Sequence, residues 1–435
     1  MLKLIVSLSL SLNLLWATSL QANERYLAFE SEEITVELYT NDEANWRFIW
    51  LYSQYDELMH WEQDFVREMQ QKGLEVWATD ILGSLFLTRG SNTVRALSGD
   101  SVATVIEAAE AASAQDGKGI ILLGSERMTG LALKGIHAWQ NLHPNKATHV
   151  KGAILLFPNL YANTPVAGEA PIWDPIVQAS QIPVMILQPE QGVSRWYAGM
   201  LATELNQQYN ATYTWVLPEV KDYFLAPWTE ERTAAETQAI GLLPQLFLQA
   251  AHQLARHAPA THPAQTIALV EPSESSDAPL HHALPRLHEF SEPKAMPSLK
   301  GITFDGKSMN LADWQGKVVL VNFWATWCPP CVTEIPSMNR LLAKYQAQGL
   351  EIFSVDFQES AEDIAEFAKQ VPIDFPVLLD LDGRISKDWG VFSFPTTFVV
   401  DRQGRVRYSL NQGVEWDIPE LEAPLVELLN EALVR

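Results

Sequence analysis

Cysteine is almost absent from this chain: its 435 residues contain only Cys328 and Cys331. That scarcity excludes a framework of structural disulfides. It also excludes a cysteine-rich zinc centre, which needs about four ligands and finds here neither a second Cys-x-x-Cys nor a His-x3-His spacing. Positive charge is scarce too. Thirty Lys and Arg stand against 53 Asp and Glu, a net charge of -23, which argues against nucleic acid and anionic lipid as partners because both reward basic surface. After the first two dozen residues no run is long and apolar enough to span a bilayer. With 47% hydrophobic residues, the chain still has enough apolar material for two domains.

What the chain does have is its two cysteines in one place, Trp327, Cys328, Pro329, Pro330, Cys331, directly after the apolar run Val318 to Trp324. A strand that ends in Cys-x-x-Cys and continues as a helix puts the first sulfur at the helix N-terminus. There, unpaired N–H groups and the macrodipole favour a thiolate. The second sulfur lies one turn on, on the same face, within reach to close a disulfide. The pattern points to reversible dithiol/disulfide exchange. Two prolines between the cysteines and a Trp before them suit a loop staple poorly.

Two further prolines extend the pattern. Pro336 interrupts the helical spacing Glu334, Ile335, Met338, Leu341, Leu342, Tyr345 and predicts a kink. Pro395, in Phe394, Pro395, Thr396, Thr397, opens the strand Phe398 to Asp401, a position that invites a cis bond in a tight turn.

As a set, the run Val319 to Trp327, the cysteine pair, Glu334, Pro336 and Phe394 to Phe398 resemble the thioredoxin-fold domain of the TlpA/ResA type, extracytoplasmic thiol-disulfide oxidoreductases. The resemblance covers about Met296 to Arg435, a third of the chain. It implies a cis peptide at Pro395 beside the disulfide, with Trp327, Phe394 and Pro395 receiving the substrate chain. It also implies protein disulfides as substrates and an electron-donating thiol partner in the membrane or periplasm, with no cofactor. Cytochrome c maturation is one task of similar reductases. One departure is Ser393, two before Pro395, where the family often has glycine.

Many thioredoxins bury an acid on the strand beneath the active site; here that position resembles Asn322, which cannot exchange a proton. Glu334, three residues after Cys331 on the same helix face, is the nearest carboxyl in sequence, and the resemblance assigns it proton handling. The alternative is a solvated glutamate in the first helical turn. The expected catalytic set is Cys328, Cys331 and Glu334, with reduction the family-weighted direction. A second reading treats the cysteine pair as a Cu(I) site without turnover.

Lys3, the apolar stretch Leu4 to Leu15, and the small residues Ala17, Ser19 and Ala22 read as a secretory signal over residues 1–22, with an uncleaved anchor as the alternative. A periplasmic location follows from that leader together with the redox motif. Residues 257–293, rich in Pro, Ala, Ser and His, read as a linker in which His281, His282 and His288 are incidental rather than metal ligands. Residues 294–435 form the thioredoxin-like domain.

Residues 23–256 alternate apolar strands with amphipathic helices. The strands are expected at Arg47 to Leu51, Glu75 to Thr79, Gly119 to Leu123, Gly152 to Phe157, Val184 to Gln188 and Thr212 to Leu217. Helices are expected at Trp61 to Gln71, Val102 to Ala114 and Arg195 to Gln208. The fold class is therefore α/β: a doubly wound, mostly parallel domain similar to an α/β-hydrolase, followed by a thioredoxin fold. The hydrolase chemistry is missing. The turn after the third strand reads Gly124, Ser125, Glu126, Arg127, Met128 instead of Gly-x-Ser-x-Gly, and the segment after Leu51 lacks glycines. The position for a catalytic His holds Glu219 to Tyr223. Serine hydrolysis through Ser125 is the third and weakest reading.

Overall fold

Near-continuous apolar runs build the central strands of two sheets, and those strands are buried on both faces. The computed structural model describes residues 23–431 apart from 145, 208–210, 223, 226–231, 258–284 and 296. The expected leader, and His281 and His282 of the expected linker, lie outside the described residues.

The first sheet comprises β1 (Asn23–Phe29), β2 (Glu32–Tyr39), β3 (Trp46–Leu51), β4 (Glu75–Thr79), β5 (Gly119–Ser125), β6 (Val150–Leu156), β7 (Val184–Gln191) and β8 (Thr212–Lys221). Its spatial order is β1-β2-β4-β3-β5-β6-β7-β8, parallel from β4 to β8, with an antiparallel hairpin β1-β2 on one edge. On β3 and β5, Ile49, Leu51, Ile120 and Leu122 pack into one core. Phe48, Trp50, Ile121 and Leu123 pack into the other. The six expected strands are all present; the hairpin and the long helix Ala234–Leu254 were not anticipated. That helix starts in a capping box between Thr233 and Glu236 and lays Leu243, Phe247, Ala250 and Leu254 on the second core.

The second sheet takes β9 (His288–Ala295), then, after the small hairpin β10 (Lys300–Ile302) and β11 (Ser308–Asn310), β12 (Val318–Trp324), β13 (Leu350–Phe357), β14 (Val377–Asp380), β15 (Thr396–Val400) and β16 (Arg405–Leu410). Its order is β14-β13-β12-β15-β16-β9, with β12 and β13 parallel at the centre. β9 corrects the linker boundary, because His288 to Pro293 had been assigned to the linker. As an edge strand paired only with β16 it buries a single large side chain, Phe290, so its sequence reads as polar coil.

The two units are in contact. One face of the second sheet is closed by Ala167 and Val193 of the first unit, packed with Phe323, Phe398 and Val391. Gly168 donates its N–H to the Gly390 carbonyl at 3.1 Å. Gly390 has φ +65, and a Cβ there would meet the Gly168 Cα at 3.0 Å. Gly390→Ala therefore combines a left-handed conformation, costing about 1–2 kcal/mol for an L-residue, with a backbone clash across the seam. It should lower the urea midpoint of the second unit's transition, followed by tryptophan fluorescence, while a Gly404→Ala control, which meets nothing within 4 Å, loses only the conformational part.

Candidate functional site

Strand β12 delivers the cysteines. Odd-numbered residues Val319, Val321 and Phe323 face the seam with the first unit. Even-numbered Val318, Leu320 and Trp324 face the helix Pro329–Tyr345. After Trp324 the chain turns, and Cys328 becomes the N-cap of that helix, its carbonyl accepting from the N–H of Cys331 at 3.0 Å and of Val332 at 3.1 Å. Pro329 and Pro330 occupy the first helical positions, where a missing N–H costs nothing. The helix continues through Pro336 to Tyr345.

Cys328 and Cys331 form a disulfide with their Cα atoms 5.3 Å apart. Cys328 is 6% exposed and Cys331 0%, so of the two only Cys328 reaches the surface at all. The Phe394–Pro395 peptide is cis. Its turn is closed by the Thr396 hydroxyl donating to the Ser393 carbonyl at 2.7 Å. Trp327 meets Phe394 edge-on at 6.0 Å, and Phe394 leans on Phe357 at 5.0 Å. All six residues singled out from the sequence thus belong to one neighbourhood or the helix that carries it.

Glu334 is 1% exposed, which overturns the solvated alternative. Asn322, an even-numbered β12 residue, points at it and donates from Nδ2 to Glu334 Oε1 at 2.8 Å and to Thr397 Oγ1 at 3.0 Å. Trp416 donates its indole N–H to Glu334 Oε2 at 3.3 Å. Burial pushes the Glu334 carboxyl up to about 8, against the pull of the donors from Asn322, Trp416 and the Val414 backbone. A second acidic pair lies on the other side of the turn. Glu359 accepts from the Thr326 N–H at 2.6 Å and hydroxyl at 2.5 Å. Neighbouring Asp356 is held well above the carboxylate range by burial and by Glu359.

Asn322 had been discounted, and its pairing with Thr397 follows from strand register (Asn322↔Thr397) that sequence spacing does not reveal. Trp416 and Glu359 were missed outright. Glu359 had only its spacing after β13 as a signal, and Trp416, 82 residues from Glu334, had none.

In the first unit, Ser125 ends β5 and is buried. The strained position of the turn is instead Glu126, φ +49, whose carboxylate pairs with Arg127 at 2.7 Å. Gly124 is required there, since a Cβ would meet the Met128 backbone at 2.9 Å. After β8 stands Asp222, half-buried, accepting from the Ser194 hydroxyl at 3.0 Å and pushed up to about 6 by desolvation. No serine–histidine–acid constellation forms around Ser125 at these strand ends among the described residues. Nor do the described residues hold a group of three or more His, Cys, Asp and Glu fit for a metal. His288 sits on β9 with its ring against Phe290.

The AhpC/TSA family profile matches residues 293–409. Over 121 residues the chain is 38% identical to the thioredoxin-like protein YneN of Bacillus subtilis (strain 168), covering 27% of this chain and 70% of that one. This chain belongs to the thioredoxin-like family of ResA and YneN. It is 42% identical over 113 residues to the thiol-disulfide oxidoreductase ResA of Bacillus thuringiensis subsp. konkukian (strain 97-27), 26% of this chain and 65% of that relative. The chain thus spans slightly less than two thirds of that relative's length. A solved structure, the thiol:disulfide interchange protein of the thioredoxin family from Chlorobium tepidum TLS, is 29% identical, covering 32% of this chain and 99% of that one with a TM-score of 0.28. The residues matched by the family profile lie in the unit that carries the disulfide.

Within this ResA-like unit the raised carboxyl of Glu334 has a checkable sign. An unfolded-chain glutamate titrates near about 4.3, so the folded state prefers the protonated form. That preference is fully present below pH about 4.3 and is lost as pH rises through about 8. The thermal midpoint of the oxidised protein should fall across this window, and Glu334→Gln, which stays neutral, should flatten the fall. Trp416→Phe removes a donor to the ionised form and should move the midpoint of the transition to higher pH.

Proposed function

We propose that this protein is an exported thiol-disulfide oxidoreductase that reduces disulfides of periplasmic proteins, with its first unit engaged in partner binding. The observation that carries the reading is the asymmetry of the pair: an accessible sulfur at a helix N-terminus, and a fully enclosed one followed by a buried carboxyl one turn on. In the reduced protein, Cys328 thiolate attacks one sulfur of a substrate disulfide; that S–S bond breaks and the leaving thiolate takes up a proton. Glu334, ionised, accepts the proton of Cys331. The Cys331 thiolate then attacks the Cys328 sulfur, releasing the second substrate thiolate and leaving the disulfide seen here. Two electrons have passed to the substrate, and an external dithiol must restore the pair.

Burial of Glu334 between Asn322 and Trp416 supports its proton-handling role, since a carboxyl near pH 8 exchanges protons with a thiol more evenly than a solvated one. The cis turn at Pro395 supports Phe394 as the backbone that receives the substrate. The strand order β1-β2-β4-β3-β5-β6-β7-β8 supports an α/β-hydrolase-like ancestry for the first unit, and Glu126 at the strained turn speaks against serine hydrolysis there. Among the described residues no helix is long and apolar enough to cross a membrane. Export rests on the leader.

Insulin reduction with dithiothreitol as donor should be readily measured for the wild type and abolished in both Cys328→Ser and Cys331→Ser. An inert wild type that instead binds one equivalent of Cu(I) would favour the metal-binding reading. Glu334→Gln should slow the reaction on the order of 100-fold and remove the rise in rate with pH around 8. Cys331→Ala should accumulate a mixed disulfide on Cys328, identifiable by mass spectrometry of the captured protein.

A further inference from the structure

We propose that Lys221, carried by the first unit, is a specificity-determining residue of the disulfide site, recognising an acidic side chain beside the cysteine of an incoming polypeptide segment. The inference rests on the redox reading above and adds the group by which a partner is selected.

Strand β8 ends at Lys221, and its ammonium lies 5.9 Å from the centre of the Trp327 ring. Trp327 immediately precedes Cys328 and leans on Phe394 of the cis turn, so this cation from a distant part of the chain stands at the mouth of the site. The contact is not a chance touch of two loosely joined units. Tyr197 stacks on Phe392 at 4.3 Å and 22°, and Tyr161 meets the same ring edge-on at 5.8 Å. Asn411 donates from Nδ2 to the Pro165 carbonyl at 2.6 Å and accepts from the Thr396 hydroxyl at 3.3 Å. Phe392 and Thr396, on either side of the cis bond, are thereby held to the first unit. The first unit forms a fixed wall of the groove.

The end of β8 is itself anchored. Asp222, next in the chain, accepts from the Ser194 hydroxyl at 3.0 Å and lies so close under Gly192 that a Cβ there would fall 2.0 Å from its carboxylate. That carboxylate is engaged by Ser194. Asp363, on which the Lys221 charge acts, is engaged by Ser360 through its N–H at 3.0 Å and its hydroxyl at 2.7 Å. Glu126, which acts on Asp222 from behind, is paired with Arg127. The Lys221 ammonium makes no ion pair or side-chain hydrogen bond with a described residue, and the Trp327 face holds it near the opening without neutralising it. On a chain of net charge -23, an acidic substrate meets general repulsion, and Lys221 is the local group placed to offset it where the disulfide must dock.

Two synthetic disulfide-bonded peptides, identical except for Glu or Lys next to the cysteine, test this on the full chain with dithiothreitol as donor. The wild type should prefer the Glu peptide in kcat/KM by about fivefold, the scale of a part-exposed ion pair. The preference should shrink at high salt, reverse in Lys221→Glu and return in Lys221→Arg, with circular dichroism confirming that the variants are folded. A wild type that reduces both peptides equally, or a preference that survives Lys221→Glu, overturns this proposal alone. A wild type inert toward insulin and both peptides overturns the redox reading and this proposal with it.

Discussion

The chemistry depends on one constraint: strand β12 must end where a helix begins, so that Cys328 caps the helix while Cys331 is sealed beneath it. A central strand buried on both faces and a helix opening on two prolines make the junction rigid. The same strand carries Asn322, and its alternation turns that amide toward the helix. The carboxyl it holds lies inside the apolar core that contains both sulfurs, not in solvent. Moving the junction by one residue would turn Asn322 to the opposite face and break the connection between the two features.

The buried carboxyl is costly to keep. A glutamate 1% exposed gains no solvation, and the donors from Asn322, Trp416 and Val414 offset only part of the loss. Such a group in a small core reads as a functional expense rather than a stabilising one. Glu359, gripping Thr326 on the far side of the turn with Asp356 beside it, places a second acidic group against the loop that presents Cys328.

The first unit covers part of the surface around the disulfide. In place of a free face, the second sheet has Ala167 and Val193 inserted into its core, and the cis turn is flanked by Tyr161 and Tyr197. The end of β8 stands beside the disulfide site, with the Lys221 ammonium 5.9 Å from the centre of the Trp327 ring.

Local sequence carried the redox pair, the helix after it, the cis turn and six strands of the first sheet, because each is written in short-range periodicity or in the conformational limits of proline and cysteine. Edge strands escaped it: β9 buries only Phe290, and β1 is largely exposed, so neither shows an apolar alternation. Partners far apart in the chain escaped it as well. Trp416 reaches Glu334, Thr397 faces Asn322, and Lys221 reaches Trp327 only because sheet register and the packing of two units bring them together. Chemistry confined to one turn is legible in order along the chain; the depth at which a carboxyl is buried, and which surface stands opposite a sulfur, are set by the whole fold.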